Sequence, residues 1–409
     1  MKYLPLDRSD HRHIGYQQQV KEANIKQIFD LVRGGQCKSR AEIVRTMKLS
    51  ATSVSVLVEE LAARKLIEET GPTQTAMPGR RPISLRLNKN AYHMAVFSLT
   101  REGVRFGLLN LAFQLLESKF FPLDAAALDR DTAPDAYIAL FEEILHKHSR
   151  RFNASRTLMV GVAFPGMYIE RDNQFYTTPS LGFYLTGEPM QRFQERVGLP
   201  VYLLNSTRSM AYAEKKYLDV ADPDSPEADD LLFVMIGDDI RCAIIAGGKL
   251  YLGPYNVTGE IGHFTIDHQG RPCHCGNRGC LERYVNLNAM LDDARQAAEA
   301  AGIEPPESFE ALARRYPDEP ALLGSVKRSA RLLSFGLYSI MCSTGLRRIA
   351  LGGGIEALGD VFLKEVESAL LERRLLVRQL NLTYAHAGPD AVLTGIAQYF
   401  LDTVYTVTM

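Results

Sequence analysis

Three cysteines crowd into one short stretch of the chain, at Cys273, Cys275 and Cys280, and His263 precedes them. Thiolates and imidazoles are the ligands that bind Zn²⁺ tetrahedrally in proteins, and four protein ligands leave no open position for a reactive water. The pattern therefore predicts a structural zinc site formed by His263, Cys273, Cys275 and Cys280. Three buried free thiols are the alternative without metal.

The loop that carries these cysteines also contains Gly276 and Gly279. Glycine adopts backbone conformations that other residues avoid, so the loop can fold back and bring the three sulfurs together. His274 is the alternative fourth ligand, but it lies between two ligands and is expected to point away. A metal cluster also fits six cysteines better than a disulfide framework does, and it indicates a reducing, cytoplasmic location.

A second pattern lies in the first ninety residues. Apolar residues recur at helical spacing over 18–33, and Ser39 with Glu42 forms a capping box before a short second helix. The turn 48–50 follows, and Ser50 is placed to cap a third helix. A short helix, a three-residue turn and a further helix predict a helix-turn-helix, with an ordinary helical bundle as the alternative.

The third helix would enter the major groove by its amino-terminal end. Its exposed residues there are small, so they can approach base edges or phosphates, and Val56 adds an apolar contact. The residues expected to face DNA in this region are Ser39, Arg40, Ser50, Thr52, Ser53 and Ser55.

Two predicted strands, 66–69 and 83–87, follow the third helix and would form a wing. Arg80 and Arg81 stand at its tip between a glycine and a proline. An extended basic tip can reach phosphates or a narrow minor groove, whereas a solvated charged loop is the plainer interpretation. The position of the two arginines on a predicted wing favours DNA contact over a solvated loop.

Charge and length agree with a basic head on a larger body. Residues 1–87 contain 15 Lys and Arg against 9 Asp and Glu, a net +6, so the overall charge of −1 leaves −7 on the remainder. A chain of 409 residues predicts two or three domains. No apolar run of about 18 residues and no secretion signal is present, so we expect neither membrane insertion nor export.

After residue 91 the pattern changes to strand hairpins followed by alternating helices and strands, which predicts a mixed α/β architecture in two lobes. The predicted strands are 92–99, 102–111, 114–121, 157–163, 201–204, 231–236, 240–246, 249–252 and 348–351. The predicted helices are 134–150, 206–217 and 325–344, and 220–230 is a polar loop.

These segments carry a family resemblance. Residues 259–263, Gly-Glu-Ile-Gly-His, and the CxCGxxGCxE block at 273–282 resemble the signature of the ROK family of repressors, open reading frames and sugar kinases. The wing segment 79–82 resembles the repressor branch, and 163–166 and 351–354 resemble further family segments. The resemblance spans nearly the whole chain.

The resemblance implies an actin/hexokinase-like (ribonuclease H-like) fold of two α/β lobes with a sugar in the cleft. It also implies a ligand site at Asn205, Ser206, Glu260, His263 and Glu282. Carboxylates and amides suit sugar hydroxyls because each can satisfy two neighbouring hydroxyl groups. Phe183 falls where the family often has an aromatic side chain lining the cleft.

Phosphate chemistry is not expected. The stretch 98–102 lacks the glycines of the family's first phosphate turn, and Ser206 stands where family kinases carry the aspartate expected as general base. A serine hydroxyl cannot replace that base near neutral pH. Two carboxylates occupy the turn 237–241, and the intact glycines at 352–354 are weak evidence alone. The sequence therefore predicts a non-enzyme.

The expected protein is a DNA-binding transcriptional regulator that binds a palindromic operator as a homodimer or homotetramer. Repression is the mode of regulation that we expect. A carbohydrate or sugar-phosphate effector would change the closure of the lobes and so the spacing of the reading heads. The expected domains are a winged helix-turn-helix over 1–88 and a first lobe over 89–205, to which a C-terminal helix over 388–409 returns. A second lobe over 206–387 is expected to carry the zinc motif and the oligomerisation surface.

Three alternatives remain open. One is a sugar kinase with a fused DNA-binding head, and another is a repressor that a protein partner controls. The third is a cleft that binds nothing and serves only for dimerisation.

Overall fold

The computed structural model describes part of the chain, in two compact units. The described residues are 16–72, 83–123, 128–129, 132–147, 154–169, 174–177, 181, 187–225, 227–253, 256–373, 380–388 and 390–407. The first unit comprises Met1–Phe164, Phe183–Leu204 and Ile396–Met409, and the second comprises Pro165–Gly182 and Asn205–Gly395. Arg80, Arg81 and Phe183 lie outside the described residues.

The first unit begins with three helices, α1 (Tyr16–Arg33), α2 (Arg40–Met47) and α3 (Ala51–Ala63). The apolar stripe of α1 is buried, as its spacing predicts, and α3 buries Val54, Leu57, Val58 and Leu61. Helix α1 ends before Gly35, whose φ of 71° is readily adopted only by glycine. The helix-turn-helix prediction is confirmed in this region.

A two-stranded antiparallel hairpin follows, with β1 (Ile67–Pro72) paired to β2 (Ile83–Leu87) so that Ile67 lies opposite Leu87. The Arg86 guanidinium donates to Glu68 across the hairpin, Nε to Oε1, at 2.7 Å. The wing predicted from the sequence is therefore present as a hairpin, and its tip lies outside the described residues.

The rest of the first unit is a five-stranded sheet with two helices, of order β5-β4-β3-β6-β9. Its strands are β3 (His93–Thr100), β4 (Gly103–Asn110), β5 (Leu115–Pro122), β6 (Thr157–Phe164) and β9 (Val201–Asn205). Its helices are α4 (Ala133–Lys147) and α5 (Gly187–Val197). Aromatic side chains, among them Phe97, Phe106 and Phe141, fill the core of this unit.

The second unit has a sheet of order β12-β11-β10-β13-β14 and a separate hairpin of β7 and β8. Its strands are β7 (Gly166–Ile169), β8 (Gln174–Thr177), β10 (Leu231–Ile236), β11 (Ile240–Ala246), β12 (Lys249–Leu250), β13 (Arg348–Gly352) and β14 (Asn381–Tyr384). Its helices are α6 (Ser206–Ala221), α7 (Glu282–Val285), α8 (Leu287–Ala300), α9 (Phe309–Arg315), α10 (Pro320–Thr344) and α11 (Gly359–Leu371). Helix α12 (Ala391–Tyr399) crosses the boundary between the units.

The two large sheets repeat one topology. In the first, β3 pairs antiparallel with β4 and parallel with β6; in the second, β10 pairs antiparallel with β11 and parallel with β13. In each case an antiparallel meander of three strands supplies one side, and the central strand has a parallel neighbour on the other. A duplicated α/β unit of this kind is the actin/hexokinase-like architecture, which confirms the predicted fold class.

Residues near 400 complete the core of the first unit around α1. The Arg33 guanidinium forms an ion pair with Asp402 and lies 5.1 Å from the ring centroid of Phe113. The rings of Phe29 and Tyr405 meet edge to face, with centroids 6.2 Å apart. Helix α1 is therefore packed against residues distant in sequence, besides its contacts with α3.

Several element predictions are wrong in extent. The strand predicted at 249–252 has two residues, β12, and the long helix begins at Pro320 instead of 325 because Pro320 takes the first helical position, where a missing N–H costs nothing. Helices α5, α8, α9 and α11 were not predicted. Over the described residues, no helix is both long and apolar enough to span a bilayer.

Candidate functional site

Four ligand atoms of the predicted metal site converge in the second unit. The side-chain donors of His263, Cys273, Cys275 and Cys280 lie within 4.8 Å of one another. The Cys275 and Cys280 sulfurs are 3.6 Å apart, and the Cys273 sulfur is 3.7 Å from Nδ1 of His263. Tetrahedral Zn–S bonds of about 2.3 Å place two sulfurs about 3.8 Å apart, so this group of donors fits a zinc ion.

Backbone hydrogen bonds fix the loop that carries the cysteines. Cys273 N donates to the Asn277 carbonyl at 2.9 Å, and Gly279 N donates to the Arg271 carbonyl at 2.8 Å. Gly276 and Gly279 have φ values of 89° and 69°, which glycine adopts without strain. A Cβ on Gly279 would lie 1.5 Å from the Asp267 carbonyl oxygen. The glycine requirement predicted from the sequence is therefore met at both positions.

The cysteines differ in acidity. Burial raises the pKa of the Cys273 thiol to about 12 and also raises the pKa of Cys280. The backbone amide of Asn277 lowers the pKa of the exposed Cys275. Metal ligands must lose their protons, so a bound cation would favour the thiolate form of all three side chains. Of the three cysteines, Cys275 is the exposed one.

Glu282 lies directly beside this cluster, at the start of α7, and is 4% exposed. Its Oε1 is 3.2 Å from the Cys273 sulfur, 3.6 Å from Nδ1 of His263 and 3.3 Å from Nδ1 of His274. The expectation that His274 points away is therefore wrong. It is not one of the four converging donors, but its ring nitrogen faces Glu282 because the intervening loop turns back on itself.

Glu260 lies directly before the short turn that carries His263. Its neighbour Gly259, at a φ of 90°, passes so close to β11 that a Cβ there would lie 1.7 Å from the Cys242 carbonyl oxygen. Burial raises the pKa of the Cys242 thiol to about 12; the Glu260 carboxylate adds to this effect, and Arg208 opposes it. The Glu260 carboxylate and the Arg208 guanidinium are therefore both near the Cys242 thiol.

Asn205 and Ser206 occupy the junction of β9 and α6. The Asn205 side chain caps α6 by accepting from Arg208 N at 3.1 Å, and its Nδ2 donates to the Gly166 carbonyl at 2.6 Å. The Ser206 hydroxyl oxygen is buried and has no hydrogen-bond partner among the described residues. A buried hydroxyl without a partner is a group that a polar ligand could satisfy.

Sequence reasoning missed Arg208, which is 8% exposed. Its Nη2 donates to the Asn256 carbonyl at 2.8 Å and to the Thr258 hydroxyl at 3.2 Å. Arg208 therefore joins the start of α6 to the segment that precedes Glu260. The sequence offered one signal: Arg208 lies three residues after Asn205, in a helix with many buried residues.

The turn between β10 and β11 is occupied by the chain's own charges. Asp239 Oδ2 pairs with the buried Arg241 guanidinium at 2.9 Å, and Asp238 Oδ1 accepts from Asn288 at 3.0 Å. A Cβ on Gly353 would lie 2.8 Å from backbone atoms of Ile236, so the two glycine-containing turns are adjacent. Two carboxylates, each with a partner in the chain, thus occupy the turn between β10 and β11.

In the helix-turn-helix, the serines predicted to face DNA also cap the helices. Ser39 Oγ accepts from Glu42 N at 3.3 Å, and Ser50 Oγ accepts from Ser53 N at 3.0 Å. The Glu42 carboxylate accepts from Lys38 N at 2.7 Å, one residue before the position that a capping box uses. Ser39 is 3% exposed, and the contact that its side chain makes is the N-cap of α2.

The amino-terminal end of α3 presents a small, uncharged surface. Thr52 and Ser53 are exposed, and Val56 is 54% exposed, whereas Ser55 is half-buried. Arg40 forms ion pairs with Glu69 at 2.8 Å and with Glu59 at 3.4 Å. These exposed residues of α3 are therefore uncharged, and Arg40 is paired with two carboxylates.

These features define a class of protein: a duplicated α/β fold of the actin/hexokinase type, with a cysteine-rich cluster in one unit and a winged helix-turn-helix in the other. The pattern of the ROK family matches residues 101–403, so the chain belongs to the ROK family.

Relatives and solved structures agree with this membership. The chain is 23% identical over 389 residues to the xylose repressor of Bacillus subtilis strain 168, covering 94% of this chain and 96% of that one. A ROK family transcriptional regulator, a homologue of the Escherichia coli MLC protein, superposes with a TM-score of 0.79 at 22% identity over 94% of this chain and 97% of that one. A ROK family glucokinase from Streptomyces griseus superposes with a TM-score of 0.59 at 20% identity over 75% and 98%.

Proposed function

We propose that this chain is a transcriptional repressor that binds operator DNA through its winged helix-turn-helix and releases it in response to a carbohydrate-type effector. The observation that carries the proposal is an exposed recognition helix in the same chain as a ROK domain. The similarity to a xylose repressor over nearly the whole length supports it, because the match includes the head as well as the body.

The DNA contacts follow from the surface of α3. Thr52, Ser53 and Val56 are the side chains that reach base edges, and the Val56 methyls suit apolar contact with thymine methyl groups. Ser39 and Ser50 cap α2 and α3, the two helices of the proposed motif. For Arg80 and Arg81, DNA contact at the wing tip remains a prediction from the sequence.

The effector site is proposed at the start of α6 and along the metal-binding loop, from Asn205, Ser206, Glu260, His263 and Glu282. The unpartnered Ser206 hydroxyl and the buried Glu282 carboxylate are groups that a polyhydroxyl ligand satisfies. Structural Zn²⁺, bound by His263 and the three cysteines, would supply rigidity to the loop that ends at Glu282.

Sugar phosphorylation is not part of the proposal. Ser206 offers no base for a sugar hydroxyl, whose deprotonation by a positioned base contributes about 10²- to 10⁴-fold to rate. The turn at Asp238 and Asp239 opposes a nucleotide phosphate with carboxylates, one of which is paired internally with Arg241. A sugar-dependent ATP turnover in a coupled assay would overturn this part.

The experiment is selection of bound DNA from a random duplex pool by the purified full chain, followed by release with a panel of monosaccharides and their phosphates. We expect one enriched sequence with two half-sites, and at least one sugar that lowers its affinity. No enrichment at low salt would refute DNA binding, and full retention with every sugar would refute the effector role.

Paired substitutions locate the reading face. Val56→Asp places a carboxylate against DNA and should weaken binding to a single half-site about 5- to 150-fold, the cost of one wrong contact. Val220→Asp is the matched control, because Val220 is 83% exposed in the second unit. Equal binding by the two variants would remove α3 from the interface.

A further inference from the structure

Arg241 is a buried cation with no role in the proposed effector site. It lies on β11 and is 5% exposed, and its Nη2 forms an ion pair with Asp239 Oδ2 at 2.9 Å. Its Nη1 is also buried and has no hydrogen-bond partner among the described residues. Because a buried guanidinium nitrogen without an acceptor is costly, Nη1 is a group that an anionic ligand could satisfy.

The side chain of Arg241 starts from the face of the sheet that α6 covers. Ala243, two residues further along β11, packs in one core with Ala211 of α6. Side chains two residues apart on a strand share a face, so Arg241 belongs to this face. Across the pair of β10 and β11 it lies opposite Met235, whose sulfur accepts from the Thr207 hydroxyl at 3.6 Å. Arg241 is therefore beside the amino-terminal turn of α6.

That turn of α6 favours an anion as well. The first N–H groups of a helix have no acceptors within it, and the positive end of the helix dipole attracts negative charge. Asn205 caps Arg208 N, and Ser206 has a buried hydroxyl without a partner among the described residues. Two polar side chains with unpartnered buried atoms, one of them cationic, thus belong to the same end of α6 and the strand beside it.

The carboxylates of the turn between β10 and β11 leave this face of the sheet cationic. Asp239 is neutralised by its pair with Arg241, and Asp238 Oδ1 accepts from Asn288 of α8 at 3.0 Å. Helix α8 packs with Ile240 in the core on the other face of the sheet. The turn therefore has an unneutralised carboxylate on the α8 side and a guanidinium on the α6 side.

We propose that the effector is a sugar with an anionic group, a carboxylate or a phosphate, and that Arg241 binds this group beside Ser206. The inference rests on the proposed function, because it names the class of ligand for the same site. Glu260 and Glu282 stay assigned to the sugar hydroxyl groups, and Arg241 makes the site select charged sugars over neutral ones.

The first test compares matched sugars by calorimetry on the purified full chain. The probes are glucose, galactose and mannose, each beside its 6-phosphate and its uronic acid. We expect one charged sugar to bind about 10- to 150-fold more tightly than its neutral partner, the difference expected for hydrogen bonding to a charged group. The phosphate and uronate arms identify the anion. A neutral sugar that binds as tightly as both charged partners overturns the inference and leaves the effector role intact.

Variants assign the preference to Arg241. Arg241→Gln should bring the charged sugar to within about threefold of its neutral partner, whereas Arg241→Lys keeps the cation and should retain part of the preference. Ser206→Asp places a carboxylate beside Arg241 and should weaken binding of the charged sugar about 10- to 150-fold while sparing the neutral one. An unchanged preference in Arg241→Gln and Ser206→Asp would remove Arg241 from the site.

Arg348→Gln is the matched control, with the fold of every variant checked by circular dichroism. Arg348 is also a buried arginine whose Nη1 has no partner among the described residues, but it begins β13. Since β13 runs parallel to β10, Arg348 lies at the opposite end of the sheet from Arg241. Its replacement should leave the preference for the charged sugar unchanged, and an equal loss in both variants would contradict the assignment.

If no probe sugar binds, simple anions decide the question. Phosphate or acetate, compared with chloride at equal ionic strength, should raise the thermal unfolding midpoint of wild type and of Arg348→Gln, but not of Arg241→Gln. Stabilisation that depends on Arg241 would leave the anion site standing while the proposed effector role fails. No stabilisation of wild type, or the same stabilisation in Arg241→Gln, would then refute the anion site too.

Discussion

Replacing Gly279 with alanine should cost far more zinc affinity than replacing Gly276. Both have positive φ, 69° and 89°, and an alanine in that region costs about 1–2 kcal/mol. At Gly276 nothing lies within 4 Å of the new Cβ, so this is the whole cost, about 5- to 30-fold in affinity.

At Gly279 the new Cβ would lie 1.5 Å from the Asp267 carbonyl oxygen, so the two backbone segments must separate. Gly279 N to Arg271 O and Ile266 N to Gly279 O, both 2.8 Å, would then break, at about 1–3 kcal/mol each. With the conformational cost, the total is about 3–8 kcal/mol, or at least about 100-fold in affinity.

The assay is zinc competition with a chromophoric chelator on purified full-length variants, with the fold checked by circular dichroism. Wild type, Gly276→Ala and Gly279→Ala should rank in that order of decreasing affinity. If Gly279→Ala matched Gly276→Ala, the collision with Asp267 would not control the cluster, and the reasoning from the loop geometry would be refuted.

Three further predictions concern the first unit. Ser39→Ala removes the N-cap of α2 and should lower the free energy of unfolding by about 1 kcal/mol in urea titration, with Ser39→Thr nearly neutral; no change would mean that the cap is dispensable. Burial raises the pKa of Tyr405 to about 12, so ionisation is favoured in the unfolded chain, and stability should fall as the pH rises from about 10 to about 12. Tyr405→Phe should reduce that alkaline loss, and an identical pH profile would contradict it. Asp402→Asn should destabilise the unit by about 1–3 kcal/mol in thermal unfolding, because Arg33, whose side chain is 15% exposed, loses a charged partner; an unchanged midpoint would show the pair to be neutral.

Local signals predicted the head and the metal cluster well. Helix α1 keeps one apolar stripe, and capping serines precede α2 and α3, so sequence spacing and structure agree. The convergence of the cysteines was predictable because the three lie within eight residues and the glycines between them permit a folded-back loop. Features that depend on residues close together in the sequence are therefore the ones that sequence patterns predict.

Long-range features escaped prediction. Helix α8 buries Met290, Leu291, Ala294 and Ala298 at helical spacing, but alanines among charged residues gave too weak an apolar signal. The direction of His274 depends on where α7 places Glu282, and Arg208 reaches a segment 48 residues away. Such positions are set by tertiary packing, which periodicity does not encode.

The ion pair of Arg33 with Asp402 joins residues 369 positions apart in the chain. During synthesis the ribosome makes α1 early, and the residues that complete its packing emerge only after both sheets have been translated. Phe29 therefore lacks its Tyr405 neighbour until residue 405 has been translated. A translation product that stops before residue 396 would carry helices α1 to α3 without the residues that complete the packing of α1.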